Sequence, residues 1–302
     1  MRFLISRLSA LGDVACSLPA AGSLRHAFPD SEIVWICDKR FADVPRACTH
    51  VDQVIVLDKD SKTWKSTIKA LGEFDVALDL QGLLKSALPV SYANAKRKLG
   101  YHWQREGARL FSQPVIPDPK SIHIVDQYVD VARAAGGATL TDFGLQPTPE
   151  AIASTNSLAS EFDPSKKLVV CHAGAGWATK RWPAANFATL ADSFADRATI
   201  AFIGTQADEP AVADVIAHAK SRPISLIGKT KVAELIALLA RADLHIAGDT
   251  GSIHIAAGLQ TPCIGLYTLT KPHRSCPYGQ LQNSLTIDPE EVKILAQKLL
   301  DQ

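Results

Sequence analysis

The residues with the strongest potential for chemistry form the segment GDTGSIH at positions 248–254. Asp249, Thr250 and Ser252 are residue types that accept hydrogen bonds from backbone amides at the start of a helix, and Gly251 lets a ligand approach the main chain closely. A helix N-terminus of this kind presents N–H groups and a positive dipole end, so it can hold a phosphate. Helix capping alone would also explain the segment, so its interpretation depends on residues elsewhere in the chain.

Two cationic or titratable side chains are candidates for the same phosphate. His254 follows the turn closely enough to donate to a phosphate oxygen or to pair with a carboxylate, although it is also a typical packed core histidine. Lys180 lies in the glycine-bearing loop HAGAGWATKRWP, where it could neutralise a phosphate leaving group. The alternative for Lys180 is a solvated surface lysine.

Asp13 lies in the first predicted strand-to-helix turn, with Ser9 and Gly12 making that turn tight and accessible. A carboxylate at this position can act as a general base. The alternative is a first-turn acid that only stabilises the helix dipole.

Acidic and polar residues also follow two later predicted strands. Asp208 or Glu209 could hold the two hydroxyls of a ribose, and helix capping by Asp208 is the competing interpretation. Lys229 and Thr230 follow the next strand and are predicted to border a nucleobase pocket.

Two further patterns have weaker functional meaning. The segment KRKLGYHWQREGAR at 96–109 combines basic and aromatic residues, which could bind nucleic acid, a sugar acid or a phosphorylated lipid headgroup, or simply form a solvated loop. Asp58 and Asp60 form a DxD triplet of the kind that some sugar-transfer enzymes use for a metal, but no histidine or acid cluster supports it.

Composition limits the classes of function that fit. The chain has 302 residues, of which 47% are hydrophobic and 21% charged, as in a soluble enzyme with room for two domains. Lysine and arginine total 32 against 31 acids, so no global basic field predicts a nucleic-acid partner. The six cysteines are scattered, and no apolar run is long enough for a signal peptide or a membrane span. We therefore predict buried, reduced thiols in a cytoplasmic protein.

Hydrophobic periodicity predicts an α/β protein with two Rossmann-like domains facing across a cleft, at 1–150 and 151–302. The predicted strands are RFLIS, EIVWIC, QVIVL and DVALDL in the first half, and LVVCH, ATIAFIG, PISLIG, DLHIAG and CIGLY in the second. Residues 94–120 look less regular, residues 142–165 look like the connection between domains, and 288–301 form a terminal helix. Pro183 suits the first turn of a helix. No GxGxxG follows a strand, which argues against a dinucleotide dehydrogenase.

Taken in order, SRLSALGDVACSLPA, DLQGLLKSAL, WQRE, HAGAGWATKRWP and DTGSIHIAAGLQTP span both halves of the chain. In this combination the sequence resembles glycosyltransferase family 9, and within it the ADP-heptose:lipopolysaccharide heptosyltransferase I type. The resemblance implies a GT-B fold and an inverting reaction that needs no metal and no cofactor, with the terminal helix packing back toward the first domain. It also implies an ADP-heptose donor in the second domain and, in the first, a Kdo-lipid acceptor at the inner face of the membrane, which is compatible with a peripheral position there.

The resemblance also assigns roles to individual residues. Asp13 would be the base, Lys180 would contact the donor phosphate or sugar, and Asp249 would hold heptose hydroxyls. The remaining donor-binding residues would be Gly174, Ala175, Thr179, Asp208, Glu209, Lys229, Thr230, Thr250, Gly251, Ser252 and His254. The acceptor-binding residues would be Ser9, Gly12, Gln81, Lys85, Trp103, Gln104 and Arg105.

The sequence departs from the family pattern in two places. Gly174 and Ala175 stand where relatives often have hydroxyl residues, so phosphate contacts there would come from the backbone or from Thr179. Segment 58–72 carries lysines where the heptosyltransferase I type is rich in arginine, which leaves acceptor identity open. The alternatives are a family 9 enzyme with another donor or acceptor, a nucleotide-sugar epimerase, and a nucleotide-binding protein without catalysis.

Overall fold

The computed structural model describes residues 1–57, 61–174, 181–268 and 270–302. The chain forms two compact units, Met1–Leu145 and Gln146–Gln302. Five residues singled out by the sequence lie outside the described residues: Asp58, Asp60, Ala175, Thr179 and Lys180.

The first unit contains a six-stranded parallel sheet in the order β3-β2-β1-β4-β5-β6, which is the order of a dinucleotide-binding Rossmann domain. Its strands are β1 (Arg2–Ser6), β2 (Glu32–Asp38), β3 (Gln53–Leu57), β4 (Glu73–Asp79), β5 (Asn94–Tyr101) and β6 (Gln113–Val115). Its helices are α1 (Leu11–Ala27), α2 (Asp43–Arg46), α3 (Trp64–Ala70), α4 (Leu84–Tyr92) and α5 (Ile124–Ala134).

The central strands of this sheet are apolar on both faces. Phe3, Leu4 and Ile5 of β1 are fully buried in succession, and so are the middle residues of β2. A parallel sheet covered by helices on both sides requires such continuous apolar runs. Parallel pairing of β1 with β4 places their carboxyl ends next to each other, where Ser6 and Asp79 are in register.

The second unit contains a five-stranded parallel sheet in the order β11-β10-β7-β8-β9. Its strands are β7 (Lys167–His172), β8 (Ala198–Phe202), β9 (Ile224–Ser225), β10 (Leu244–Gly248) and β11 (Cys263–Leu266). Its helices are α6 (Pro149–Ala159), α7 (Ala184–Phe194), α8 (Glu209–His218), α9 (Val232–Arg241), α10 (Gly251–Gly258), α11 (Pro272–Ser275) and α12 (Pro289–Leu300). When the strands are numbered within this unit, their order in the sheet is the same as that of β1 to β5 in the first unit.

Aromatic side chains form the centre of the second core. The ring of Phe187 meets those of Trp182 and Phe202 edge-on, with centroids 4.9 and 5.8 Å apart. Helix α12 adds Val292 and Leu300 to this core. The terminal helix is therefore part of the second unit's own packing, and its return toward the first domain stays a prediction.

The structure corrects the sequence interpretation in the irregular regions. Residues 94–120 contain the two strands β5 and β6. The hydrophobic pattern gave no sign of β5 because the exposed first half of this strand is polar, although β5 pairs along its length with β4. Residues 142–165 contain α6, whose start is capped by the Thr148 hydroxyl accepting the Ala151 N–H at 3.2 Å. Pro183 is the residue before α7 rather than part of its first turn.

All six cysteines are free and buried, which confirms the prediction of reduced interior thiols. Burial raises the pKa of Cys37 and of Cys48 to about 12, so neither is a reactive thiolate at neutral pH. Within the described residues, every helix is too short or too polar to cross a bilayer.

Candidate active site

The GDTGSIH segment connects β10 to α10, as the sequence predicted. Thr250 is the residue before α10, but its side chain makes no capping hydrogen bond to the helix within the described residues. Its hydroxyl lies instead 3.0 Å from the hydroxyl of Ser252. The capping alternative is thus not realised through Thr250, and the positive end of α10 remains suited to an anion.

Ser252 joins two histidines that the sequence analysis missed. Its Oγ lies 3.0 Å from both His172 Nδ1 and His245 Nε2. His245 Nδ1 lies 2.8 Å from the Val170 carbonyl oxygen, which can only accept, so this nitrogen carries the proton. Burial lowers the pKa of His245 to about 3, so its ring is neutral and Nε2 accepts from Ser252. The Ser252 oxygen then accepts from His172 or Thr250.

Asp208 is fixed at the other side of His172. Its Oδ2 accepts from the backbone N–H and the hydroxyl of Thr205 at 2.9 and 3.0 Å and lies 3.7 Å from His172 Nε2. The His172 side chain, aided by Thr205, lowers the pKa of Asp208 to about 2. The carboxylate also lies against Gly174, where any Cβ would collide with it. Asp208 therefore has the capping role that sequence analysis kept as the alternative.

Glu209 has a different environment from Asp208. It is exposed at the start of α8 and accepts a hydrogen bond from the Gln206 side chain. The loops after β8 and β9 run side by side, because the Gly228 N–H donates to the Gly204 carbonyl at 3.0 Å.

The other predicted donor residues lie close to the same strand ends. In the loop after β9, Lys229 pairs with Glu161 at 3.1 Å, and Thr230 beside it is half-buried. His254 is mostly buried, and its Nε2 lies 3.9 Å from Asp249 Oδ1. The His254 side chain is therefore both packed in the core and close to a carboxylate, two interpretations that the sequence left as alternatives. The second unit thus brings its described candidate residues to the carboxyl ends of β7, β8, β9 and β10.

In the first unit, Asp13 is an exposed carboxylate held by a buried cation. Its Oδ1 lies 2.9 Å from Arg7 Nη2, and its Oδ2 accepts the Ala10 N–H at 3.3 Å. The Arg7 guanidinium is itself fixed by donating to the Leu80 carbonyl and by the ring of Tyr128, 5.1 Å away. Arg7 therefore orients the Asp13 carboxylate from its buried side, and the carboxylate remains exposed to solvent.

The predicted acceptor residues Ser9, Gln81 and Lys85 come together beside Asp13. Lys85 Nζ donates to Ser9 Oγ at 2.7 Å, and Gln81 Oε1 accepts the backbone N–H groups of Leu8 and Ser9 at 3.0 and 3.3 Å. Gly12 lies in the same turn and is half-buried. The DLQGLLK segment therefore braces the loop that carries the candidate base.

The WQRE segment packs on the same edge through Gly82. Gly82 has φ +71°, and a Cβ there would be 2.7 Å from the Trp103 carbonyl oxygen, so only glycine allows this approach. The Arg105 N–H donates to the Gly82 carbonyl at 2.8 Å, and the Arg105 guanidinium lies over the Trp103 ring. Gln104 instead turns inward and donates to Ser112 Oγ at 2.6 Å.

A cavity of about 510 Å³ opens at the carboxyl ends of β1, β2 and β3. Leu8, Leu57 and Trp64 supply its apolar surface, and Asp38, Lys39, Arg40 and Lys85 its charged rim. Hydrogen bonds from Arg40 lower the pKa of Asp38 and hold it ionised. Of these residues, only Lys85 was a site candidate from the sequence.

The missed residues left weak signals in the sequence. His172 ends a strand directly before a glycine-bearing loop, and His245 is a polar residue inside the otherwise apolar β10. Lys39 and Arg40 directly follow β2, at the same sheet edge as Asp13. Each could have been found by listing every polar residue at a strand's carboxyl end, where α/β ligands bind.

Two like-wound parallel sheets with polar side chains at their carboxyl ends define a GT-B fold of two Rossmann-like units. Residues 64–298 match the family model described as glycosyltransferase family 9 (heptosyltransferase). The chain belongs to glycosyltransferase family 9 and is a glycosyltransferase enzyme. This membership favours the transferase over the epimerase among the predicted alternatives.

Individual proteins give the same relationship. The chain is 28% identical to the lipopolysaccharide core heptosyltransferase OpsX of Haemophilus influenzae, over 96% of this chain and 85% of that protein. It is 30% identical to lipopolysaccharide heptosyltransferase 1 of Escherichia coli K12, over 93% of this chain and 92% of that protein. Its fold matches the structure of E. coli ADP-heptose lps heptosyltransferase II with a TM-score of 0.85, at 20% identity, over 100% of this chain and 99% of that one.

The Ser252 network predicts a measurable stability cost. Ser252→Ala removes the only hydroxyl placed to donate to the buried His245 Nε2 among the described residues, and an unpaired buried acceptor costs about 1–3 kcal/mol. We expect urea denaturation to show a loss in that range. Ser193→Ala is the control, since the Ser193 hydroxyl is exposed on α7 and, among the described residues, donates to the Thr189 carbonyl alone. Equal effects of the two substitutions would contradict the network.

Proposed function

We propose that the protein is an inverting, metal-independent heptosyltransferase that transfers heptose from ADP-heptose to a Kdo residue of the lipopolysaccharide inner core. The observation that carries the proposal is the exposed Asp13 carboxylate oriented by the buried Arg7. The names of the two relatives and of the E. coli structure support lipopolysaccharide as the destination and ADP-heptose as the donor. Because the acceptor is lipid-linked, the enzyme would work at the cytoplasmic face of the inner membrane.

The donor would bind at the carboxyl ends of β7 to β10. The positive end of α10, with Thr250, Gly251, Ser252 and His254, would hold the diphosphate, and Asp249 would hold heptose hydroxyls. Lys180, Thr179 and the backbone at Gly174 and Ala175 would complete the phosphate contacts.

The nucleoside would lie between the loops after β8 and β9. Asp208 is committed to Thr205 and His172, whereas Glu209 is exposed beside it, so we assign the ribose hydroxyls to Glu209. Lys229 and Thr230 would border the adenine. This assignment chooses between two acids that the sequence left equivalent.

Transfer would proceed as a single displacement. Asp13 accepts the proton of the acceptor hydroxyl while that oxygen attacks the anomeric carbon from the face opposite ADP, so the new bond has inverted configuration. The bond to the diphosphate breaks, and negative charge accumulates on ADP. The N-terminus of α10 together with Lys180 would stabilise that charge in place of a metal ion.

The first unit offers suitable chemistry for an acidic sugar. Lys39, Arg40 and Lys85 line a cavity that also has apolar walls. Lys85 donates a hydrogen bond to Ser9, close to the candidate base. A Kdo carboxylate would pair with this cationic rim, since charge-assisted hydrogen bonds to carboxylates are strong. Trp103 and Arg105 would contact further parts of the acceptor.

Asp13→Asn tests the base. The amide keeps the shape of the side chain but cannot take a proton, so turnover should fall by about 10²–10⁴-fold while affinity for ADP stays unchanged. Initial rates of heptose transfer and calorimetric ADP binding measure the two effects. The assay contains excess chelator, because no metal takes part in the proposed step.

Asp43→Asn is the matched control, since Asp43 is also a solvent-accessible acid, half-buried and paired with an arginine, Arg46, at 3.0 Å. It should retain wild-type turnover. Turnover of Asp13→Asn within a few-fold of wild type would overturn the mechanism, and chelator-sensitive wild-type activity that Mg²⁺ or Mn²⁺ restores would overturn its metal independence.

Glu209→Gln tests the ribose assignment. Loss of a charged hydrogen-bond acceptor should weaken ADP binding by roughly tenfold or more. The substitution should also abolish the preference for ADP over 2′-deoxy-ADP, which calorimetry of both ligands measures. Glu150→Gln, likewise in the first turn of a helix, is the control and should leave the preference intact; a preference that survives in Glu209→Gln would refute the assignment.

A thermal-shift panel tests the donor class. ADP should raise the melting temperature more than UDP, GDP or CMP at equal concentration, because the ligand with the lowest Kd stabilises the native state most. A larger shift with another nucleotide would indicate a family 9 enzyme with a different donor.

A further inference from the structure

Three potential metal ligands meet in the first unit, at a different place from the residues assigned to catalysis. His26 lies at the end of α1, His50 follows α2, and Asp142 lies in the last segment of the unit. We propose that His26, His50 and Asp142 form a binding site for a divalent transition metal ion of the zinc class. This inference is independent of the proposed transfer reaction.

The three ligand atoms lie close together. Asp142 Oδ2 lies 3.0 Å from His26 Nε2 and 2.9 Å from His50 Nε2, and the three atoms lie within 4.8 Å of one another. Bonds of 2.0–2.2 Å in a tetrahedral zinc site place ligand atoms about 3.4 Å apart. Small rotations of Asp142 and of the two histidine side chains, which widen both contacts by about 0.5 Å, would therefore let an ion enter.

The chemistry of the set favours zinc and its neighbours over alkaline-earth ions. Imidazole nitrogens with one carboxylate suit zinc, nickel or copper, whereas magnesium and calcium prefer oxygen ligands alone. Three protein ligands leave a fourth position for water. Such a position is accessible, because the side chains of His26 and Asp142 are 47% and 41% exposed.

The surroundings hold two of the ligands in place. Asp142 Oδ1 accepts the Gly144 N–H at 3.0 Å, which leaves Oδ2 toward the histidines. The Thr49 N–H donates to the Gly144 carbonyl at 2.8 Å and ties the two segments together. Gly144 has φ +54°, and a Cβ there would be 2.6 Å from His50 Nε2, so a glycine is required for the ring to fit. Supporting contacts of this kind orient metal ligands in established sites.

The carboxylate is ionised, and an ion would replace its contacts with the two histidine Nε2 atoms. Partial burial would raise the pKa of Asp142, but hydrogen bonds from His26, Gly144 and His50 outweigh it and hold the pKa below its usual value. The nearby Arg25 guanidinium is occupied by Asp52 at 2.6 Å. An ion at this site would fasten the end of α1 and residue 50 to the last segment of the first unit.

Titration of the full, tag-free chain with Zn²⁺ tests the site. Wild type should bind one equivalent, and Co²⁺ in its place should give the visible absorption bands of a low-coordinate nitrogen and oxygen site. Removing one ligand by His26→Ala or Asp142→Asn should weaken zinc binding at least tenfold in competition with a chelator. The shift in melting temperature produced by Zn²⁺ should decrease in parallel.

His218→Ala is the matched control, because His218 and Asp214 form an exposed pair with Nδ1 3.3 Å from Oδ1 but have no third ligand among the described residues. It should bind zinc as wild type does. A far-ultraviolet circular dichroism spectrum and a cooperative thermal transition like those of wild type show that His26→Ala is folded. Zinc binding that is absent in wild type, or equal in wild type and both ligand variants, would overturn the proposal and show that the cluster is a hydrogen-bonded group only.

Discussion

The hydroxyl of Ser252 is the contact on which the polar side chains around the start of α10 depend. It carries one proton, and the neutral His245 below it accepts that proton because the other ring nitrogen already donates to a strand carbonyl. The oxygen is then left to accept from His172 or Thr250. One buried histidine thus sets the direction of hydrogen bonds through the turn that begins α10, and from His172 the same set of contacts reaches Asp208.

In the first unit, a buried cation orients the neighbouring side chain. Arg7 is buried, and its guanidinium is fixed by a backbone carbonyl and an aromatic ring, so its remaining donors have a defined direction. Asp13 meets one of them and is thereby oriented without being covered. In both units a buried group fixes a side chain at the carboxyl edge of the sheet: Arg7 fixes the exposed Asp13, and His245 fixes the buried Ser252.

The sequence predicted those helices and strands that have a continuous hydrophobic pattern. The apolar runs of β1, β2, β7 and β10 and the capped terminal helix were found, and with them the two-fold repetition of the Rossmann pattern. The polar strand β5 was missed, because its face carries lysines and arginine, and its pairing with β4 is not visible locally. The motif residues were found by their types, but the roles of Asp208 and Glu209 depend on which neighbour each side chain meets, and that is a property of the fold.

The equal winding of the two units allows a direct comparison of corresponding positions. Asp79 is the last residue of β4 and Asp249 directly follows β10, and each of these strands lies at the topological switch point of its sheet, where α/β proteins bind ligands. Asp79 is fully buried and accepts the N–H groups of Gln81 and Gly82 at 3.0 Å, so it shapes its own turn. Asp249 keeps 21% of its side chain exposed. Burial, and not residue type, therefore distinguishes the structural Asp79 from the partly exposed Asp249.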